Sequence, residues 1–258
     1  MSTSGQSVLA ATLDARVAPL RPGDRLAEMR AALPGRVVFT TSFGLEDQAI
    51  VDMIAERGLD IAFATLDTGR MFPETYDVWA RTEEKYAIKI EPFHPDAKSI
   101  EALVHAQGIN GFRHSIDARK ACCDVRKVEP LGRALAGAQG WIVGLRADQS
   151  EHRGGLGFAT FDAARDLVKL SPLFDWTREQ VAAYCQRRGV PINPLHDKGF
   201  LSIGCAPCTR AVLPGEPERA GRWWWEQEDK KECGLHVAPD GRLARGAALE
   251  PGPIEATR

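Results

Sequence analysis

Short apolar runs alternate along the chain with longer segments in which apolar residues recur at helical spacing. The short runs are rich in β-branched or aromatic residues and are bounded by Gly, Pro or polar residues, which predicts strands at 36–41, 60–66, 87–92, 141–145 and 166–170. The longer segments predict helices at 25–33, 46–57, 73–85, 98–107, 125–135 and 178–188. This alternation predicts an α/β fold, a mostly parallel sheet with helices on both faces. Such sheets bind ligands beyond the carboxyl ends of their strands.

The composition is that of a folded, water-soluble domain. With 258 residues, 44% of them hydrophobic and 26% charged, the chain suits one sizeable α/β domain or two small ones, and excludes disordered, collagen-like and coiled-coil classes. A net charge of -2 gives no field that favours nucleic acid or anionic membrane. No apolar run approaches the roughly 18 residues of a membrane helix. A Pro/Gly cluster at 213–217 predicts a boundary between an α/β domain, 1–213, and a mobile C-terminal arm, 214–258.

The N-terminus lacks the basic region and the continuous apolar region of a secretory signal. We therefore expect a cytoplasmic protein. In that compartment cysteines are more often ligands or nucleophiles than disulfides.

Four of the six cysteines form two pairs, Cys122-Cys123 and Cys205-Ala-Pro-Cys208. A C-x-x-C turn presents two sulfurs on one side of a loop. Adjacent cysteines diverge, which makes a shared zinc ion awkward, whereas a 4Fe–4S cluster offers separate iron atoms. The pattern favours such a cluster over zinc, with buried, inert cysteines as the structural alternative. Cys185, inside a predicted helix, is interpreted as a core residue.

Cys233 stands apart from the two pairs, on the polar, Gly-containing arm. Lys230, Lys231 and His236 would favour its thiolate, and Glu232 opposes them. Because the arm is a poor place for core packing, a nucleophile is favoured over a structural cysteine.

Small and hydroxyl residues at 42–44 lie between the first predicted strand and the next helix. They can bind phosphate together with helix-start N–H groups, although an ordinary βα turn has the same composition. Asp67 follows the second predicted strand. It either accepts hydrogen bonds from a ribose or base or forms a turn before Gly69.

Basic side chains gather near the same predicted edge. Arg146 and Arg153 follow the fourth predicted strand, and Arg219 and Arg222 begin the arm. Together they suit a sulfate or phosphate, although each alone is typical of a solvated surface charge.

Lys127 lies four residues after Cys123, so on a helix the two share a face. Pro130 predicts that this helix begins nearby, which would place the paired cysteines at its positive N-terminal end. A solvated surface lysine is the alternative for Lys127.

As an ordered set these motifs resemble those of the assimilatory sulfonucleotide reductases, specifically the bacterial iron–sulfur adenylyl-sulfate (APS) reductases. The resemblance runs from about Thr40 to His236. The segments that carry it are SFGLED (42–47), LDTGRMFPET (66–75), CCDVRK (122–127), GLR (144–146) with Gln149-Ser150, GCAPC (204–208) and ECGLH (232–236).

The resemblance implies an adenine nucleotide alpha hydrolase-like fold and the reduction of APS to sulfite and AMP by thioredoxin. Cys233 would attack the sulfur of APS and carry an S-sulfocysteine, and a 4Fe–4S cluster would be held by Cys122, Cys123, Cys205 and Cys208. The implied substrate-binding residues are Ser42, Phe43, Gly44, Leu66, Asp67, Thr68, Gly69, Lys127, Gly144, Arg146, Arg219, Arg222 and His236. The sequence leaves the oligomeric state open, and a homo-oligomer is compatible with it.

Three other functions stay open. Phosphoadenylyl-sulfate (PAPS) reductases share the nucleophilic arm but typically lack the paired cysteines. ATP pyrophosphatases carry Ser-Gly-Gly-x-Asp-Ser at the loop where this chain has Phe43, which predicts less room for pyrophosphate. A zinc-stabilised binding module would explain the four paired cysteines but not Cys233.

Overall fold

A central sheet organises the structure, a computed structural model that describes residues 3–149 and 157–226. Within these residues the strands are β1 (Arg36–Thr41), β2 (Ala62–Leu66), β3 (Ile90–Phe93), β4 (Ala138–Ile142), β5 (Ala159–Asp162) and β6 (Leu167–Leu170). Their spatial order is β3-β2-β1-β4-β6-β5. Neighbouring strands are parallel except β5, which is antiparallel to β6. The predicted fold class is confirmed.

The chain reverses its direction of travel across the sheet at β1. It passes from β1 to β2 and β3 on one side, and it returns to pair β4 with β1 on the other side. In this register Phe39 of β1 lies opposite Phe63 and Ile142. The carboxyl ends of β1 and β4 therefore flank a topological switch point, where sheets of this kind bind ligands.

Helices cover both faces of the sheet. They are α1 (Thr3–Val17), α2 (Pro22–Ala32), α3 (Leu45–Glu56), α4 (Pro73–Tyr86), α5 (Ala97–Gln107), α6 (Ile116–Cys123), α7 (Glu129–Ala134) and α8 (Arg178–Arg188). On one face α1, α2, α3 and α8 enclose a core that contains Leu13, Ile50 and Val181. On the other face Leu131 of α7 packs with Val38. This burial of apolar side chains supplies the main driving force for the fold.

The start of α8 follows a local signal that the sequence carries. Oγ1 of Thr177 accepts from the backbone N–H of Gln180 at 3.3 Å, and the Thr177 N–H donates back to Oε1 of Gln180 at 2.7 Å. This reciprocal pair is a capping box, which satisfies two N–H groups of the first turn.

The predicted element bounds hold for β1 and α8, and they shift by a few residues elsewhere. Asp166, the first residue of the predicted strand at 166–170, has φ 52°, so it turns the chain and β6 begins at Leu167. The strand predicted at 141–145 is Ala138–Ile142 instead, and the three residues that follow it line a cavity at the edge of the sheet. The sequence analysis did not predict α1 or β5.

Helix α7 begins at Glu129 with Pro130 in its first turn, as predicted, but the inference that the paired cysteines lie at a helix N-terminus is wrong. Helix α6 begins at Ile116, where Oγ of Ser115 accepts from the backbone N–H of Ala118 at 3.1 Å, and it continues through a π-helical turn into α7. The paired cysteines therefore lie in the middle of a helical segment rather than at its positive N-terminal end.

In the part of the chain that is described, we find no helix with the length and apolar character needed to span a bilayer.

Candidate functional site

A cavity of about 220 Å³ lies at the switch point between β1 and β4. Thr40 and Thr41 at the end of β1 form one wall, and Val143 and Gly144 after β4 form another. Predicted site residues in its lining are Ser42, Gly44, Leu66, Thr68, Lys127, Gly144, Arg219 and Arg222. The fold therefore brings together residues that are spread over most of the described chain.

The loop between β1 and α3 holds a carboxylate with its own donors. The backbone N–H and Oγ of Ser42 donate to Oδ2 of Asp47 at 2.6 and 2.9 Å, and the Phe43 N–H donates to Oγ1 of Thr41 at 3.0 Å. Asp47 lines the cavity and is almost fully buried. The loop is thus held rigidly against the first turn of α3.

Burial raises the pKa of Asp47 from its ordinary value to about 6, although hydrogen bonds from Ser42 act in the opposite direction. The negative charge of Glu46 adds to the rise. A Cβ on Gly144 would lie 2.3 Å from Oδ1 of Asp47, so any side chain at this position would displace that carboxylate. Gly144 therefore shapes the cavity through its lack of a side chain.

Replacement of Asp47 by asparagine is expected to remove a pH-dependent loss of stability. Between about pH 4 and 6, folded Asp47 holds a proton that the unfolded chain releases, so the wild type loses stability as the pH rises. The full effect is about 3 kcal/mol, because each pKa unit corresponds to about 1.4 kcal/mol. The amide oxygen of asparagine can still accept from Ser42.

The measurement is the free energy of unfolding of the wild type minus that of Asp47→Asn, taken from pH 4 to 7. Other titrating groups cancel in this difference. A difference that stays constant across this range would show that Asp47 does not hold its proton in the folded protein.

Among the residues that the structure describes, three cationic side chains line the cavity: Lys127, Arg219 and Arg222. The guanidinium of Arg222 lies 4.8 Å from the centroid of the Trp223 ring, which fixes its orientation. It passes so close to Gly204 that a Cβ there would lie 2.3 Å from Nη2 of Arg222. The sequence analysis named these cations as candidates for binding a sulfate or phosphate but gave Gly204 no role.

Arg146, also predicted to bind the substrate, lies outside the cavity lining. Its buried guanidinium donates to Glu46 at 2.7 Å and to Glu218 at 2.6 Å, and it also contacts Asp148. With three carboxylates around it, this cation is neutralised by the protein. Through these ion pairs, Arg146 links Glu46 in the first turn of α3 to Glu218, the neighbour of Arg219.

Arg146→Gln is expected to lower the free energy of unfolding by about 3–5 kcal/mol, since it leaves the largely buried Glu46 without its cation and Glu218 with only Arg178 at 3.4 Å. Denaturant unfolding measures the change. Arg133→Gln breaks a pair with Glu129 that is about half exposed, and it should cost less than about 1 kcal/mol. Equal losses in the two variants would contradict a structural role for Arg146.

The segment 66–69 contacts the cavity through Leu66 and Thr68. Oδ1 of Asp67 accepts from the Gly69 N–H and from the Tyr76 hydroxyl, both at 2.8 Å. Gly69 has φ 68°, so Asp67 forms the turn that the sequence allowed as one of its two roles. Asp67 and Gly69 are not part of the lining, but their turn holds Thr68 in place.

Phe43 also lies behind the lining. It adopts φ 60°, and its ring stacks on Trp79 with centroids 5.5 Å apart, in a small core with Val78 and Ile90. The ring therefore points away from the cavity and does not itself reduce the room for a pyrophosphate. Its interactions stabilise a left-handed backbone conformation that costs energy for a non-glycine residue.

Cys122 lies close enough to Cys205 and Cys208 for their charges to interact, beside the part of the cavity that Cys205 lines. Cys122 and Cys123 end α6, and Cys205 and Cys208 flank a short 3₁₀ turn. Electrostatic interactions connect Cys205 with both Cys122 and Cys208. All four are free thiols, and Cys205 itself lines the cavity.

The charges around Cys205 favour its thiolate. Burial alone would raise the pKa of Cys205, but Lys127, a hydrogen bond with Thr68 and Arg222 outweigh burial, and the pKa falls below its ordinary value. Burial, with a smaller contribution from Cys205, raises the pKa of Cys208 to about 11. Thiolates are the form in which cysteines bind metals.

Among residues 3–149 and 157–226, no group of three or more His, Cys, Asp or Glu side chains is arranged to hold a metal ion. Cys185, predicted as a core residue, is 1% exposed in the core beside α3. Cys233, His236 and Arg153 lie outside the described residues.

Several lining residues were not singled out from the sequence. Met71 and Thr75 fall within the 66–75 motif, so a signal for them was present. Trp141 and Ile203 reach the cavity only through tertiary packing, and Nε1 of Trp141 donates to Oγ1 of Thr40 at 2.7 Å.

A family model described as the phosphoadenosine phosphosulfate reductase domain matches residues 36–211. The chain belongs to this family. The match begins with β1 and includes the loop at Ser42 and both cysteine pairs. It ends before Arg219, Arg222 and Cys233.

Individual members of the phosphoadenosine phosphosulfate reductase family support the assignment. The chain is 52% identical over 238 residues to "Adenosine 5'-phosphosulfate reductase" of Agrobacterium fabrum, which covers 92% of this chain and 91% of that protein. It is 55% identical over 207 residues to the protein of the same name in Rhizobium meliloti, covering 80% and 78%. The crystal structure of phosphoadenylyl-sulfate reductase from Candida auris, a phosphate complex, superposes with a TM-score of 0.67 at 27% identity, covering 79% of this chain and 96% of that one.

Proposed function

We propose that this protein reduces APS to sulfite and AMP with electrons from thioredoxin. The observation that carries the proposal is the cavity at the switch point, which unites a hydroxyl-bearing loop, three cations and Cys205. Relatives named for adenosine 5'-phosphosulfate reduction share about half of their residues with this chain over most of its length. The cytoplasm, where small thiols stay reduced, suits a thiol-dependent reaction.

In this proposal the cavity binds APS in two parts. Leu66 and Thr68, at the carboxyl end of β2, face the adenosine. The phosphosulfate lies toward Lys127, Arg219 and Arg222, whose charges complement its own. Ser42, Gly44 and Gly144 border the phosphates, and Phe43, Asp67 and Gly69 support these contacts from outside the lining. His236 is a further proposed substrate-binding residue.

Cys233 supplies the nucleophile. Its thiolate attacks the sulfur of APS, the bond between that sulfur and the phosphate oxygen breaks, and AMP leaves with the electron pair. Lys127 and the two arginines stabilise the charge that develops on the leaving phosphate. The product on the protein is an S-sulfocysteine.

The dithiol donor completes the reduction. One donor thiolate attacks Sγ of Cys233, and sulfite leaves with the electron pair of the sulfur–sulfur bond. The second donor thiol then resolves the mixed disulfide and returns Cys233 to a thiol. The donor loses two electrons, and the sulfur of the sulfate group gains two.

A 4Fe–4S cluster suits the donor set. Four thiols come from two segments, the charges on Cys205, Cys208 and Cys122 influence each other, and Lys127 and Arg222 favour a thiolate. When bound by Cys122, Cys123, Cys205 and Cys208, the cluster would join α6 to the 3₁₀ turn and add a charged group beside Lys127. The bond-making steps described above use Cys233 and the two thiols of the donor.

APS is favoured over PAPS because the relatives at 52% and 55% identity are named for APS, whereas the PAPS reductase structure is 27% identical. Purified protein with reduced thioredoxin is expected to release sulfite from APS with a higher kcat/KM than from PAPS. Sulfite from neither substrate would refute the proposal. Pyrophosphate release from ATP would favour an ATP pyrophosphatase, and one zinc ion per chain in place of several iron atoms would favour a zinc-stabilised module.

A further inference from the structure

A buried ion pair joins helix α6 to the last residue that the structure describes. Nε of Arg119 donates to Oε1 of Glu226 at 2.9 Å, and Nη2 donates to Oε2 at 2.8 Å. The two side chains are only 1% and 4% exposed. The Arg119 guanidinium also lies 4.7 Å from the centroid of the buried Trp223 ring. Two parallel hydrogen bonds, from a guanidinium that itself packs against Trp223, hold the carboxylate of Glu226 in one orientation.

The location of this pair relates it to the reaction centre. Arg119 is one helical turn before the Cys122-Cys123 pair and eight residues before Lys127, which lines the cavity. Eight residues of helix correspond to about 12 Å. Glu226 precedes Cys233 by seven residues, a span of at most about 25 Å. While Glu226 stays fixed, covalent geometry limits Cys233 to this radius around it.

We propose that Arg119 and Glu226 are a positioning pair that sets the attachment point of the Cys233 segment. The inference rests on the proposed function, in which Cys233 attacks APS in the cavity. A fixed attachment point raises the effective concentration of the thiolate at the bound substrate. We call residues 227–232, between this attachment point and Cys233, the tether. Without the pair, the tether would begin at an earlier residue and would therefore be longer, so that the concentration of Cys233 at the substrate would fall.

In this proposal the pair acts through Cys233 and does not contact the substrate. Its removal should therefore slow the attack on APS without changing substrate binding or cluster content. Glu226→Gln is expected to slow the formation of S-sulfocysteine from saturating APS by about 10- to 100-fold in a single turnover without a thiol donor. The iron content, the affinity for AMP and the rate at which iodoacetamide alkylates Cys233 should stay at wild-type levels, because none of these depends on the attachment point.

Glu216→Gln is the matched control. Glu216 makes the same two-point contact with Arg210, at 2.7 and 2.8 Å, in a more exposed position of the same C-terminal segment. This variant should form the adduct at the wild-type rate. A wild-type rate in Glu226→Gln would overturn the proposal, and so would a loss of AMP affinity or iron parallel to the loss of rate.

A second experiment does not depend on how well Glu226→Gln folds. Four Gly/Ser residues inserted directly after Glu226 lengthen the tether while leaving the pair intact. The insertion should slow adduct formation in the wild type and have a much smaller effect in Glu226→Asp, where the shorter side chain weakens the attachment. Equal effects in both backgrounds would overturn the positioning role. If wild-type protein forms no adduct, the proposed function fails instead.

Discussion

Cys233→Ser is expected to lower the rate of sulfite formation from APS by at least about 10³-fold, because a serine hydroxyl at neutral pH is a far weaker nucleophile than a thiolate. The measurement is the steady-state release of sulfite with reduced thioredoxin. Cys233 lies outside the described residues, so its role rests on the ECGLH segment and the chemistry of the cavity rather than on a position in the structure.

Cys185→Ala is the control for this experiment. Burial raises the pKa of Cys185 to about 12, and its thiol lies 3.7 Å from the carbonyl oxygen of Leu45 in the core. Its loss should leave sulfite formation unchanged. Comparable rates in Cys233→Ser and Cys185→Ala would remove Cys233 from the mechanism.

The double variant Cys205→Ala/Cys208→Ala is expected to lose nearly all bound iron, together with at least about 10²-fold of its activity. It removes both thiols of one segment, and the two that remain on α6 diverge along the helix. Removal of ligands from a metal site also removes folding energy, so the melting temperature should fall.

Iron and sulfide determination, with the visible absorbance, measures this change independently of turnover. Cys185→Ala again serves as the control and should keep its iron. Full iron content in the double variant would show that the cluster, if present, is held elsewhere.

The sequence predicts a helix or strand correctly where the apolar residues of that element recur with a single clear spacing. β1 is a continuous β-branched and aromatic run and was predicted to the residue, and Thr177 with Gln180 set the start of α8. Strand β5 is a short edge element that pairs with β6 alone, so nothing in its own sequence distinguishes it from a loop. Helix α1 did carry a signal, because Ala10, Leu13 and Val17 are spaced to share one buried face.

The helix that bears Cys122 and Cys123 shows how a local rule misleads. Proline is favoured at helix starts, and Pro130 does stand at the start of α7. The chain nevertheless reaches α7 through a π-helical turn rather than a loop, so α6 and α7 are continuous. The choice between a loop and a wider helical turn depends on the packing of the whole segment, which a local pattern does not encode.

The sequence correctly predicts those residues of the site that come directly after the ends of parallel strands. Ser42, Thr68 and Gly144 follow three parallel strands, and their convergence at one edge is a property of the sheet. Arg146 also follows a strand end, but its charge is taken up by Glu46 and Glu218, which lie 100 and 72 residues away. Partners at such separations are set by tertiary structure, so the sequence could not distinguish Arg146 from a cation that contacts the substrate.

The most direct test of the account is to mix the purified protein with APS in the absence of any thiol donor and to map the modified residue by mass spectrometry. We expect one sulfonate group per chain, located on Cys233, with an equal amount of AMP released. Free sulfite without a protein adduct, or a sulfonate on another residue, would contradict the proposed mechanism.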